Sequence, residues 1–156
     1  MRDCVRQNVP FVMFSVAQTI TKGTFSSVAR AFLMTQVLFW SASALTALWL
    51  VVHLMIGGRQ IARPLLKASE LRSTVKHTQY LCWHFTTVAI AGMALFFCLA
   101  AITGVTAYAT SATVLAAGFF FLGVVLIISL GENHAQLPQG WLFLPVATLG
   151  LMGHLL

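Results

Sequence analysis

Three long uncharged, apolar runs constrain this chain more than anything else in it: Ala31 to Ile56, about Tyr80 to Thr103, and about Thr106 to Leu130. Each reaches the roughly 20 residues that a helix needs to cross a hydrocarbon core of about 30 Å. Backbone groups in lipid must be satisfied within the segment, so the runs are predicted to be helices. Composition agrees with that solvent. Hydrophobic residues make up 59% of the 156 residues and charged residues 8%, where a soluble domain carries about a quarter charged.

A fourth apolar segment, Trp141 to Leu156, is shorter. Its sixteen residues cover only about 24 Å as a helix, with Pro145 in the first turn, where proline is tolerated. It crosses a locally thinned bilayer or re-enters without crossing, and crossing is the expectation. Trp40, Tyr80, Trp83, Tyr108 and Trp141 fall near the ends of the spans, where amphipathic rings suit the interface. The predicted fold class is therefore all-α: a four-transmembrane-helix bundle over 31–156, with spans about 31–56, 80–103, 106–130 and 141–156.

The connector 57–79 is strongly basic, with Arg59, Arg63, Lys67, Arg72 and Lys76 against Glu70 alone. After Pro64, the residues Leu65, Ala68, Leu71 and Val75 recur at helical spacing while Arg63, Lys67 and Glu70 take another face. That pattern predicts a short basic amphipathic helix on the membrane surface; a solvated loop with some helical turns is the plainer alternative. Five basic residues in a short loop make it cytoplasmic under the positive-inside rule. The net charge of +6 flanks apolar spans instead of forming a stripe with interleaved aromatics, which argues for lipid headgroups as the anionic partner and against nucleic acid.

The first thirty residues fit that orientation poorly, since Arg2, Arg6, Lys22 and Arg30 would face outward. Three readings stand for this N-terminal extension, 1–30: a weak signal peptide over 1–17, a natural start at Met34, or an amphipathic or disordered extension. The cysteines say little of redox compartment. Cys82 and Cys98 are about 24 Å apart on one predicted helix, too far to bridge, and neither they nor Cys4 form a Cys-x-x-Cys.

Polar side chains within spans are the default functional candidates, because burying them in lipid is costly. Gln36, Ser43, Thr46 and His53 recur on one face of the first helix, as interhelical hydrogen-bonding glue or as part of a site. His53 and His84 lie at similar depth near the connector, with His77 seven residues earlier on the face of His84. The loop after the third span adds Glu132, Asn133 and His134. The candidate ligand-binding set is thus His53, His84, Glu132 and His134, with Gln36 and Trp83. His53, His84, His134 and Glu132 have the chemistry of a divalent-metal site. Paired histidines suit axial haem ligation, and either histidine suits proton transfer or headgroup binding. The plainer expectation is interface histidines bonded to neighbours, carbonyls or water. His154, at the opposite end, is expected to be solvated.

Ala109, Thr113 and Ala117 form a small-residue ladder, and Ala147, Gly150 and Gly153 a second; both suit close helix contact, within the chain or in a homo-oligomer. Catalytic patterns are missing: no phosphate-binding glycine loop, no His-Glu-x-x-His, no Gly-x-Ser-x-Gly. No charge sits in mid-span and no inverted repeat is visible, which weakens a transporter. No catalytic residue and no resident cofactor are expected. The leading expectation is a non-enzymatic membrane protein binding a small ligand, lipid or partner subunit at the inner polar corner. A haem- or metal-dependent oxidoreductase, or a transporter component acting as an oligomer, are the alternatives.

The run His53-Leu-Met-Ile-Gly-Gly-Arg59 with Arg63-Pro-Leu-Leu66, then Tyr80-Leu-Cys-Trp-His84, then Leu137-Pro-Gln-Gly-Trp-Leu-Phe-Leu-Pro145, resembles small bacterial four-helix inner-membrane proteins of unknown function. The resemblance covers about Met34 to the end and implies architecture alone. Its motifs include His53, Trp83 and His84, which directs attention to the inner corner. The first thirty residues fall outside it, in keeping with a start at Met34.

Overall fold

A computed structural model describes the backbone from Val9 to Leu156 and the side chains from Ser27 onward. Arg2, Cys4 and Arg6 lie outside the described residues, as do the side chains on which the readings of the N-terminal extension rest. The chain divides into two units, Met1–Met34 and Thr35–Leu156. In the first, the described part is helical.

The described residues form helices and short connections, with no strand. Helix α1 runs Val9–Val52 and passes into a π-helical stretch, His53–Ala62, and then α2, Arg63–Lys67. Helix α3 is Ser73–Thr103 and α4 is Thr106–Ser129; a single 3₁₀ turn, Trp141–Phe143, leads into α5, Leu144–Leu155. Three helical segments, Ser27–Lys67, Ser73–Thr103 and Thr106–Ser129, are long and apolar enough to cross a membrane, and Trp141–Leu155 is shorter.

Termini follow from local chemistry. α3 stops at Gly104, whose φ of 71° is available to glycine without steric penalty; its N–H bonds Ala100 O at 2.9 Å. The two-residue link Gly104–Val105 forces α4 back along α3 as an antiparallel neighbour. α4 ends in a Schellman cap. Gly131, with φ 67°, donates to Ile128 O at 3.1 Å, and the Glu132 N–H reaches Ile127 O at 3.1 Å. Pro145 sits in the first turn of α5, where no N–H is needed; Pro64 lies inside the continuous helix, just after the π stretch passes into α2.

The connector departs from expectation. No amphipathic helix runs from Pro64 to Val75. α2 stops at Lys67, Ala68 turns extended with ψ 111°, and Val75 already belongs to α3. Ser69 Oγ donates to Glu70 Oε2 at 2.6 Å, engaging side chains within the break. A separate twelve-residue helix would have to nucleate alone, which is marginal in water, whereas lengthening two existing helices adds turns without a new nucleus. Arg59, Arg63 and Lys67 therefore ride the end of the first helix, while Arg72 is the N-cap of α3 and Lys76 lies in its first turn.

The core of the second unit gathers one face from each helix. α1 supplies Phe39, Ala42 and Thr46, α3 supplies Ile90, Met93 and Phe97, α4 supplies Ala109, Ala112 and Ala116, and the last segment supplies Phe143 and Val146. Phe39 and Phe97 meet with ring centroids 6.4 Å apart. The alanine face of α4 admits close approach. Both predicted small-residue ladders are used inside the chain. A Cβ on Gly150 would strike Thr113 Oγ1 and lie 3.0 Å from Phe97 Cζ, and one on Gly153 would strike the Phe39 ring.

The shortness of α5 has a structural answer. The loop 131–140 folds back along α4, and a Cβ on Gly123 would sit 2.6 Å from Gly140 Cα. Gly123 is six residues before the end of α4, so Gly140, just before the 3₁₀ turn that leads into α5, lies about 9 Å short of that end. The loop's backbone groups meet one another in successive turns. Asn133 O accepts from Gln136 N at 2.9 Å, Asn133 Oδ1 from Ala135 N at 2.8 Å, and Pro138 O from Trp141 N at 3.0 Å.

Candidate functional site

Tyr80, Trp83, His84 and Thr87 follow one another at steps of three, one and three along α3, so they share a face. That face meets the π-helical stretch. The wider π turn is rare and is found disproportionately at functional sites, and here it presents Gly57 and Gly58 to the Trp83 indole. A Cβ on Gly57 would lie 3.8 Å from Trp83 Nε1 and 3.9 Å from His53 Nδ1. Gly57 and Gly58 thus lie alongside the ring at a distance where even a Cβ would make ordinary contact.

Trp83 is the centre of the cluster. The His53 imidazole stacks on it at 4.6 Å and 18°, and His84 meets it edge-on at 5.0 Å and 82°. Tyr80 lies nearly parallel to the indole at 6.3 Å and edge-on to His84 at 4.6 Å. His53 Nε2 is 3.1 Å from Thr87 Oγ1, and that hydroxyl donates to Trp83 O at 3.1 Å. With its one proton given to the carbonyl, Thr87 Oγ1 is placed to accept from His53 Nε2–H. Trp83 Nε1 is buried without a hydrogen-bond partner.

The predicted constellation splits. Trp83 brings His53 and His84 into one cluster. His134 belongs to another: its Nδ1 accepts from Trp141 Nε1 at 3.1 Å, and Trp141 packs edge-on against Phe120 at 5.4 Å. Glu132 is exposed in the cap of α4. Gln36 is half-buried on α1, seventeen residues and about 26 Å from His53, at the far end of the bundle. Among the described residues no group of three or more His, Cys, Asp or Glu side chains is arranged to hold a metal ion. The reason is lateral. His53 and His84 are drawn to the junction of the first helix with α3, whereas His134 follows the loop that folds onto α4. As for a haem between paired histidines, both rings pack on the same indole, and His53 is hydrogen-bonded to Thr87.

The remaining polar positions of the first helix do serve contact. Ser43 donates to Ala94 O across to α3 at 2.9 Å, and Thr46, fully buried, bonds its own Ala42 O at 2.7 Å. His77 lies one turn before the cluster, with Nδ1 3.4 Å from Ser73 Oγ. His154 is half-buried, not solvated: it meets Phe39 edge-on at 5.6 Å, and its Nε2 is buried and unpartnered.

Beside Trp83 a cavity of about 310 Å³ opens between the π-helical stretch, α2 and α3. Its lining includes Arg59, Arg63, Tyr80 and Trp83, with Met55 and Leu66 among the apolar members. Neither arginine forms an ion pair with a carboxylate of the described residues. Sequence reasoning assigned both to a membrane surface and did not single out Tyr80 or Thr87 as part of a site. The Tyr80-Trp83-His84-Thr87 spacing was a readable signal; the cavity, which depends on how the π turns meet α3, was not. The chain matches no known family model, no curated protein and no solved structure.

Proposed function

We propose that this chain is a multi-pass protein of a bacterial inner membrane, with the connector end facing the cytoplasm, and that it binds a small ligand, lipid or partner at the corner built on Trp83. The cavity of about 310 Å³ beside the His53–Trp83 stack carries the reading. It has the mixed lining of a binding site, an apolar and aromatic wall with a few polar groups. The large apolar side chains left exposed on the long helices, such as Val88 at 70% and Val114 at 66%, support lipid as their solvent. The basic connector end supports the cytoplasmic orientation. In this reading the two histidines hold the indole in place: His53 is anchored by Thr87 and stacks on one face, and His84 braces its edge.

The test is untargeted mass spectrometry of whatever co-purifies with the full chain in mild detergent, compared with Trp83→Ala and with a His53→Ala/His84→Ala double variant. A species retained by the native chain and lost from both variants is the expected result. Identical small-molecule, lipid and protein content in all three samples overturns the proposal.

A further inference from the structure

We infer that the cavity beside Trp83 holds the phosphate of an anionic glycerophospholipid headgroup, gripped by Arg59 and Arg63. The inference rests on the binding-corner reading above and names its ligand class.

The guanidiniums come first. Arg59 and Arg63 are four residues apart, astride the junction of the π stretch with α2, and both line the same cavity. A guanidinium presents a planar fork of donors that matches phosphate oxygens two at a time. The chain supplies these forks with no described acid: Glu70, the one carboxylate of the connector, accepts from Ser69 instead. With no carboxylate of the described residues paired to them, the two guanidiniums are open to an anion from outside the chain. Tyr80 adds a phenol to the same wall, a further group able to donate to an anion.

The rest of the lining selects the anion's body. Met55, Leu66 and the Trp83 ring give one side of the cavity an apolar surface, which suits the glycerol and first acyl carbons of a lipid better than a fully hydrated ion. The volume sits at the small end of the range of roughly 300–1,000 Å³ typical of ligand pockets. That is room for a headgroup, with the acyl chains left outside against the exposed apolar faces of the helices. Position agrees as well. The cavity lies at the basic end of the Ser27–Lys67 segment, at the level where headgroups of the cytoplasmic leaflet would lie, and basic pockets between helices on that side are suited to anionic headgroups.

The experiment is native mass spectrometry of the delipidated full chain titrated with three probes: phosphatidylglycerol, phosphatidylcholine and soluble glycerol 3-phosphate. Two double variants remove the same charge from different places. Arg59→Gln/Arg63→Gln empties the cavity of cations, and Arg72→Gln/Lys76→Gln alters only the neighbouring surface. Phosphatidylglycerol is expected to bind the native chain and the surface variant alike, and to lose about tenfold or more in affinity on the cavity variant. Phosphatidylcholine, whose phosphate is neutralised by choline, is expected to bind the native chain at least about tenfold more weakly than phosphatidylglycerol. Equal losses in the two double variants would reduce the effect to diffuse surface charge and overturn the inference. So would glycerol 3-phosphate binding as tightly as the lipid, which would identify a soluble phosphate ligand. If the co-purification experiment finds a ligand that depends on Trp83 but carries no phosphate, the lipid assignment falls while the binding corner stands.

Discussion

Gly153 is buried against the Phe39 ring, which an added Cβ would strike. A Gly153→Val substitution inserts three carbons into a ring that also packs on Phe97 and His154. Overpacking of this kind costs about 1–3 kcal/mol, so the thermal midpoint of the detergent-solubilised chain should fall by several degrees, about 2–4 °C per kcal/mol for a chain this size. Gly118, where an added Cβ meets nothing within 4 Å, is the control. Gly118→Ala should leave the midpoint unchanged or raise it slightly by restricting the unfolded chain. At the site, Thr87→Val removes the acceptor of the His53 Nε2–H while keeping the shape. Interhelical hydrogen bonds in membranes are worth about 0.6 kcal/mol, at most about 1.7, so stability should drop modestly, and Thr87→Ser should restore it. An unchanged midpoint in Thr87→Val would mean that the bond contributes nothing.

Among the elements, the last segment is the one whose place depends most on a single contact. Its apolar length is short for a span, and the fold compensates by carrying the preceding loop down α4 until Gly140 rests on Gly123. Both positions have to be bare, because the backbones themselves touch. Gly140→Leu should therefore lift the loop off α4 and expose it. Limited proteolysis at 131–140 should accelerate severalfold, while the Gly104–Val105 link, which is held by its own cap, keeps its resistance. Equal protection of the loop in the variant and native chains would contradict the fold-back. The π stretch is the second element with a specific consequence. Its wider turns place Gly57 and Gly58 beside Trp83 and Arg59 on the cavity lining, with Arg63 following at the start of α2. Deleting Ile56, an exposed residue in mid-stretch, rotates everything beyond it by about a quarter turn. Crosslinking between cysteines placed at Arg63 and Tyr80, in a chain otherwise free of cysteine, should then be lost.

For the molecule as a whole, the exposed apolar surface and the basic connector end make joint predictions. The chain should stay with membranes through alkaline carbonate extraction and aggregate when detergent is withdrawn. In intact cells, a cysteine at Ser69 should resist an impermeant maleimide added outside, and one at Val105 should react. The reverse pattern would invert the proposed orientation and leave the fold untouched. Much of this scale was readable in the sequence. Three uncharged runs predict three long helices, glycine marks two of the stops, and Pro145 marks the start of the last helix. The short fourth segment, the use of Ala147, Gly150 and Gly153 for close packing and the inward turn of Ser43 and Thr46 also follow from spacing.

The candidate site was legible only in part. Trp83, His53 and His84 stood out as polar or amphipathic residues at one depth, and the structure joins them. Glu132, His134 and Gln36 stood out for similar reasons and lie elsewhere, because depth along a helix leaves open which neighbour a side chain turns toward. The extent of the first helix, the π-to-α2 junction that puts Arg59 and Arg63 on one cavity lining, and the descent of the loop onto Gly123 are likewise matters of packing. Each depends on backbones and rings that are remote in sequence. Hydrophobic runs alone settle that the chain forms long helices, since every residue's backbone must be satisfied within its own segment. Which side chains share a cavity is settled by the azimuth and register of one helix against another, and those are chosen by the assembled core.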